Sequence, residues 1–270
     1  MWSCPNCESW IIASRICPNC GAWVSDDSAD EQDSDHPVEL AIMGDTLLSC
    51  SGRKAKVVVP AGVKELEEYS FYNDTALQEI ELPEDLTMIL KCAFQECTAL
   101  QEIRLPDKLK RLGRAAFYGC SALRKIEIPA SVKQINTETF RDCTALRVIE
   151  LSEGLEIIGG SVFKGCNALE KIAIPASVKQ IELEAFQDCT ALQEIELSEG
   201  LEKIGESAFK NCSALKKITI PASVKQIEAG AFRDCIALQE ITLLSKDTIF
   251  ETDTFRNCPG VVKRPEDPAE

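Results

Sequence analysis

Residues 212–234 read CSALKKITIPASVKQIEAGAFRD, and this stretch is one copy of the pattern that decides the fold. Cysteine recurs every 23 residues from Cys97 to Cys258, and the same frame runs back to Asp74 and Ser51. With the cysteine as position 1, most of the nine windows carry Leu at 4, Ile or Leu at 7 and 9, and Phe at 21. A fixed period of this length predicts a repeat solenoid whose copies bury their apolar sides against one another.

Each copy is expected to contain short extended stretches. Positions 7 and 9 alternate with polar residues, as in Ile218-Thr219-Ile220, which predicts a strand with one buried face. Proline often follows at position 10 and ends the strand, because it has no amide donor. A second extended stretch is expected around position 16. The segment before the next cysteine, such as residues 231–235, predicts a helical or 3₁₀ turn because it is too short for a full helix.

The fixed positions also predict the core. We expect the short strands to stack as a parallel sheet, with the phenylalanines of position 21 forming a buried spine along the solenoid. The repeat cysteines are expected to form a ladder of small, reduced, buried side chains rather than redox or metal sites. A second period of 46 residues is present, because PASVKQI occurs at residues 129, 175 and 221 and alternates with SEGLEII or SEGLEKI.

These landmarks resemble the BspA-like leucine-rich repeat, which has the same leucine, isoleucine, proline, alanine-phenylalanine and cysteine positions in 23 residues. The resemblance covers roughly residues 42–262. GDTLLSCSGRKAKVVVPAGV at 44–63 is similar to the hairpin that starts such arrays, and CPGVV at 258–262 is similar to their closing strand. The resemblance implies a leucine-rich-repeat horseshoe. Many relatives carry a signal peptide and act as adhesins.

The composition divides the chain into four parts. We assign residues 1–24 to a zinc ribbon, 25–39 to an acidic flexible linker, 40–262 to the solenoid of about nine repeats with an N-terminal cap hairpin, and 263–270 to a polar tail. The linker, SDDSADEQDSDHPVE, has seven carboxylates, no basic residue and little that is apolar. Burial in such a segment cannot offset the entropy lost on ordering.

The zinc ribbon is predicted from two Cys-x-x-Cys knuckles, Cys4 with Cys7 and Cys17 with Cys20. Four thiolates make the tetrahedral site that zinc prefers, and this closed set leaves no open position for catalysis. We therefore expect one structural zinc ion. A rubredoxin-like iron site is the alternative, although its knuckles normally lie farther apart. The unit is similar to small zinc ribbons at the N-terminus of many bacterial proteins.

Charge and composition narrow the function. A net charge of -15 disfavours nucleic acid and anionic membranes as partners of the whole chain. No apolar run is long enough to span a membrane, and the start of the chain lacks the features of a secretory signal, so we expect a cytoplasmic protein, with the cell surface or export as the alternative. His36, the only histidine, lies in the linker, so no Ser-His-Asp or Cys-His arrangement is expected and the protein is predicted not to be an enzyme.

One stretch departs from the repeat consensus. Residues 104–125 contain seven basic residues and one acid, in a chain that is otherwise acidic. We take five residues of this stretch as candidates for binding a protein, namely Lys108, Lys110, Arg111, Arg114 and Tyr118. They are expected to bind an acidic segment, either a partner's or the chain's own residues 26–35. Elsewhere, charges that alternate along position 6 predict ion pairs between neighbouring copies.

The sequence therefore favours a non-enzymatic scaffold for protein–protein interaction, built from a leucine-rich solenoid and a structural zinc ribbon. One alternative is a surface adhesin or host-interacting effector. Another is a regulator associated with nucleic acid through the ribbon, although Arg15 is the ribbon's only basic residue and phosphate contacts need several. The identity of the partner is not encoded in these patterns.

Overall fold

A computed structural model of the chain describes residues 2–3, 10–11 and 38–263. At the N-terminus, two short strands, β1 (Trp2–Ser3) and β2 (Trp10–Ile11), pair antiparallel. From residue 38 onward the chain winds as a parallel β-solenoid of about nine turns, which we call rungs, each one 23-residue copy long. The repeat frame of the sequence is thus the frame of the structure.

An antiparallel hairpin, β3 (Glu39–Met43) and β4 (Thr46–Ser51), begins the solenoid. The strands at positions 6–9 form what we call the first sheet. They are β5 (Lys56–Val58), β7 (Glu79–Glu81), β9 (Glu102–Ile103), β11 (Lys125–Ile128), β13 (Val148–Leu151), β15 (Lys171–Ile174), β17 (Glu194–Leu197), β19 (Lys217–Ile220) and β21 (Glu240–Leu243), and the last strand, β23 (Val261–Lys263), pairs with β21. Their pairing is interrupted between β13 and β15 and between β17 and β19.

The strands at positions 15–16 continue from the hairpin into an unbroken sheet of 11 strands, the second sheet. They are β6 (Glu65–Leu66), β8 (Met88–Ile89), β10 (Arg111–Leu112), β12 (Gln134–Ile135), β14 (Ile157–Ile158), β16 (Gln180–Ile181), β18 (Lys203–Ile204), β20 (Gln226–Ile227) and β22 (Ile249–Phe250). Both predicted strands of the repeat are therefore present.

The predicted helical or 3₁₀ turns are wrong, since the described residues contain no helix. In the rung from Cys166, Glu184 and Asp188 both have positive φ, so only three residues between them can follow a right-handed path. The amides also alternate in direction. That of Phe186 donates to the carbonyl of Ala208 on the next rung (2.7 Å), whereas that of Gln187 donates within the turn. In a helix, all of these amides would donate hydrogen bonds along the helix axis.

These alternating amides build a third ladder of backbone hydrogen bonds between rungs. Every position-21 amide from Phe71 to Phe232 donates to the following rung at 2.7–3.0 Å. Two strand ladders and one turn ladder thus join successive rungs. They provide hydrogen-bond partners for backbone groups that would otherwise be buried without one.

The predicted phenylalanine spine is confirmed. Rings of consecutive rungs from Phe71 to Phe255 stack with centroids 5.0–5.8 Å apart. The eight from Phe71 to Phe232 are fully buried, and Phe255 is partly buried. Burying each such ring is worth about 1.5–3 kcal/mol.

The predicted cysteine ladder is also confirmed. The repeat thiols from Cys97 to Cys235 are free and fully buried. Each Sγ donates to a phenylalanine carbonyl 26 residues earlier, as from Cys143 to Phe117 at 3.1 Å. Burial raises the pKa of the Cys143, Cys166 and Cys212 thiols, so they stay protonated at neutral pH.

The corners between the two sheets explain the 46-residue period. Glu199, in an SEG corner, accepts hydrogen bonds from the amides of Ala222 and Ser223 (both 3.0 Å) in the following PAS corner. The amide of Gly200 donates in turn to the Ser223 hydroxyl (3.0 Å). These backbone hydrogen bonds lower the pKa of Glu199. An SEG corner therefore forms hydrogen bonds with the PAS corner on the next rung, and this explains why the two corner sequences alternate along the chain.

Gly200 shows how closely these corners approach. It has φ +109°, and a Cβ there would lie 2.4 Å from the Ala176 carbonyl oxygen. Gly62, at the same repeat position, has φ +93° but nothing within 4 Å of a Cβ. Comparing the two glycines separates the cost of the backbone conformation from the cost of the clash.

We expect Gly200→Ala to destabilise the protein by roughly 1–3 kcal/mol more than Gly62→Ala, because only the first substitution overpacks a backbone contact. Urea unfolding of the two variants measures the difference. Equal losses would mean that the corners do not approach as closely as described.

Candidate protein-binding surfaces

The outward side chains of the solenoid lie in rows, because each repeat position recurs on every rung. On the first sheet, position 6 forms the ion pairs expected from the sequence, such as Lys56 with Glu79 (2.9 Å) and Lys171 with Glu194 (3.4 Å). Lys125 pairs with a carboxylate at position 8 of the next rung, Glu150 (2.6 Å). These pairs are exposed, so solvent screens them and each contributes little to stability. Part of the charge on this face is therefore paired between neighbouring rungs.

The structure divides the basic stretch at residues 104–125 between the two sheets. Arg111 begins β10 in the second sheet, with Lys110 just before this strand and Arg114 just beyond it. Lys125 begins β11 in the first sheet, with Arg124 just before it. Lys108 lies in the corner between the sheets. The basic residues therefore do not form one continuous surface, and each sheet has to be considered by itself.

Two of the five candidate residues form ion pairs with other residues of the solenoid. Lys108 pairs with Asp85 on the preceding rung (2.6 Å). Arg114 donates through Nε and Nη2 to Glu138 (3.1 and 2.9 Å), which also accepts from Arg141 (2.9 Å). Neither cation needs an external partner to be neutralised.

Tyr118, the aromatic member of the five candidates, is half-buried. The Arg141 guanidinium lies over the ring, 5.6 Å from its centroid. Burial raises the pKa of the Tyr118 hydroxyl, with a further contribution from Asp142. Tyr118 therefore packs against its own rungs.

Lys110 and Arg111 remain exposed, and neither makes an ion pair with the residues that the structure describes. Lys133, at the position of Lys110 on the next rung, shares both properties. We call Lys110, Arg111 and Lys133 the basic surface. Lys133 was not predicted as a binding residue because it belongs to the common PASVKQI segment. Its surroundings differ from those of the other copies only because Lys110 holds the same position on the neighbouring rung.

The basic surface interrupts an otherwise alternating row. From Glu156 onward position 14 reads Glu156, Lys179, Glu202 and Lys225, and the last two pair at 3.6 Å. Lys110 and Lys133 instead place like charges on adjacent rungs, which is unfavourable. At this point β10 and β12 pair through one residue each, Leu112 with Ile135, whereas β12 and β14 pair through two residues each.

A second irregular surface lies on the first sheet. Arg124 and Arg147 occupy the same position on adjacent rungs, and the amide of Arg147 donates to the Arg124 carbonyl at 3.0 Å. Both side chains are exposed, and neither has an ion pair within residues 38–263. Val148 beside them is 44% exposed, at a position that holds Lys or Glu in every other strand from β5 to β21. These three residues form the arginine surface.

Residues 38–263 contain no group of three or more His, Cys, Asp or Glu placed to hold a metal ion. A shallow depression of about 400 Å³ is lined by Gln193, Glu194, Lys216, Lys217, Gln239 and Glu240, which are outward residues of three successive rungs. Within the same described residues, no helix could cross a membrane.

The predicted metal ligands Cys4, Cys7, Cys17 and Cys20 lie outside the described residues. The nearest described feature is the pairing of β1 with β2, which joins Ser3 to Trp10 on either side of the first knuckle in sequence.

Comparisons with known proteins agree with the repeat architecture. The family described as BspA type leucine-rich repeat region matches residues 64–191 and 157–263. A leucine-rich repeat protein from T. pallidum is similar at 30% identity over 66% of this chain and 87% of that chain, with a TM-score of 0.60. No curated protein matches.

Two further solved structures are similar at lower identity. A leucine-rich cell surface protein from Faecalibacterium prausnitzii has 19% identity over 87% of this chain and 96% of that chain, with a TM-score of 0.43. The pneumococcal vaccine antigen PcpA has 23% identity over 73% of this chain and 58% of that chain, with a TM-score of 0.45. At these scores neither carries an argument about function.

Proposed function

Because this chain belongs to the BspA-type leucine-rich repeat family, we propose that it is a non-enzymatic scaffold that binds a protein partner through its solenoid. One observation carries the proposal. Two exposed surfaces on adjacent rungs hold like positive charges that make no ion pair with the described residues, in a chain whose net charge is -15. Such repulsion costs stability, and a binding partner that bears carboxylates would relieve it.

The partner's chemistry follows from these surfaces. Guanidinium groups bind carboxylates in two parallel hydrogen bonds, and the exposed Val148 beside Arg147 suits an apolar side chain. Neighbouring acids such as Glu127 and Glu150, which face outward on the same sheet, disfavour a polyanion such as nucleic acid. An acidic protein segment therefore fits better than nucleic acid.

The cellular location belongs to the same proposal. Seven buried repeat thiols from Cys97 to Cys235 are free, which suits a reducing compartment such as the cytoplasm. An adhesin or host-interacting effector would instead be found at the cell surface or in the medium. Fractionation of the source cells separates these two roles.

Capture experiments with charge-reversed variants test the function. We expect an acidic partner to be captured by the unmodified protein and lost with Lys110→Glu, Arg111→Glu and Lys133→Glu together, or with Arg124→Glu and Arg147→Glu together. The matched control is Lys179→Glu with Lys225→Glu, at the position of Lys110 in rungs where the row alternates. Nuclease treatment tests whether nucleic acid mediates the capture.

Capture that is equal for all four proteins would contradict binding through these surfaces. Capture that nuclease abolishes would favour the nucleic-acid alternative. Added salt should weaken capture by the unmodified protein, since exposed charges are screened over about 10 Å at 0.1 M salt.

The N-terminal unit is proposed to be a structural zinc ribbon held by Cys4, Cys7, Cys17 and Cys20. The closed set of four thiolates supports this assignment, as does the pairing of β1 with β2 around the first knuckle. A unit of 24 residues is too small to be held by apolar burial alone, and zinc supplies roughly 10–16 kcal/mol in comparable peptides.

We expect one zinc ion per chain by elemental analysis of the purified protein, and none after Cys17→Ser. The urea unfolding of the solenoid should change little, because the proposed flexible linker decouples the two units. Cys143→Ser, which alters a buried repeat thiol, is the control and should keep the zinc. Zinc retained by the Cys17 variant would refute the ligand assignment.

A further inference from the structure

We infer that the basic surface, Lys110, Arg111 and Lys133, is the docking site of the chain's own acidic segment, residues 26–35. The inference concerns a contact within one chain and holds whether or not a protein partner binds.

The acidic segment joins the solenoid at the edge of the same sheet that carries the basic surface. Residue 38 leads directly into β3, the outermost strand of the second sheet. From β3 the order of the strands is β4, β6, β8, β10 and β12, so the basic surface begins four strands away. Glu39 pairs with Ser51, whereas β4 pairs with β6 through Thr46 and Leu47. The chain therefore enters the second sheet some residues to one side of the line along which its strands pair.

The segment is long enough to reach. Four to five strand spacings amount to about 19–24 Å along the solenoid, and the offset across the sheet brings the path to roughly 25–30 Å. The nine residues from Glu39 back to Asp30 can span about 30 Å when extended. Asp30 and the acids before it therefore come within range of the basic surface, and the long side chains of lysine and arginine shorten the distance further.

The charges along the second sheet favour docking of the acidic segment at the basic surface over docking at the neighbouring rungs. Glu65, Glu67 and Glu68 lie on the first rung, where they repel an acidic segment. Lys91, an exposed cation on the intervening rung, carries the attraction toward the basic surface. Beyond Lys133 the row turns to Glu156. The attractive stretch is thus bounded on both sides.

The two charge sets are opposite in sign. Residues 26–35 contain six carboxylates and no cation, whereas the basic surface has three exposed cations with no ion pair among the described residues. Docking relieves the repulsion between Lys110 and Lys133 and supplies Arg111 with a carboxylate. Apolar contacts are not required, which suits a segment that has few apolar residues.

Zero-length carbodiimide cross-linking of the full chain tests the contact directly, because it joins a carboxylate to a lysine amine only where the two touch. At low salt we expect peptides from residues 26–35 to be joined to Lys110 and Lys133 more often than to Lys179 or Lys225. The pairs Lys108 with Asp85 and Lys225 with Glu202 provide internal references, since both already lie within ion-pairing distance.

A matched pair of variants isolates the electrostatic cause. Arg111→Glu keeps both lysine amines and should lower their cross-linking to residues 26–35 roughly fourfold, as expected for two charge units at about 10 Å in water. Arg104→Glu makes the same change in net charge on the same rung but in the first sheet, and should have little effect. About 0.5 M salt should remove the cross-links in every protein.

Several outcomes would overturn the inference. Cross-links from residues 26–35 that are absent, or spread evenly over the lysines of the second sheet, while the internal references form, would exclude a specific contact. Cross-links found only in covalent dimers would exclude docking within one chain. Equal effects of Arg111→Glu and Arg104→Glu would show that net charge alone governs the contact.

Discussion

The stacking of one phenylalanine on the next is the interaction on which the solenoid depends. Centroid separations of 5.0–5.8 Å match the spacing of hydrogen-bonded rungs, so each ring is covered only if its neighbours are in register. The amide of the same residue donates to the next rung, which ties the ring stack to the backbone ladder. An insertion within a copy would break both, and the interval of 23 residues is kept without exception from Cys97 to Cys258.

This constraint separates the residues that hold the fold from those free to bind. Inward positions are repeated because each must fit the copy before and after it, and the SEG and PAS corners alternate for the same reason. Outward rows need only avoid repulsion, as Glu202 and Lys225 do. The basic surface and the arginine surface place like positive charges on neighbouring rungs of a chain whose net charge is -15, and this departure is the physical basis for proposing that the solenoid binds acidic segments.

Much of the fold could be predicted from the sequence because its signals are periodic. The alternation at Ile218-Thr219-Ile220, the phenylalanine spine and the buried cysteines all follow from position in the repeat. The turn before each cysteine could not, because its left-handed residues differ in type, as with Glu184 and Ser207. The binding surfaces were only partly predictable, since the pairing of Arg114 with Glu138 and the isolation of Lys133 depend on neighbours 23 or more residues away.

The unfolding free energy of Phe186→Ala, measured in urea, tests most directly the claim that the ring stack holds the rungs together. Phe186 is fully buried between Phe163 and Phe209, and its loss should cost about 3–5 kcal/mol. Leu183→Ala, three residues away and 49% exposed, is the control and should change stability by about 0.5 kcal/mol or less. A loss below about 1 kcal/mol for Phe186→Ala would contradict the account.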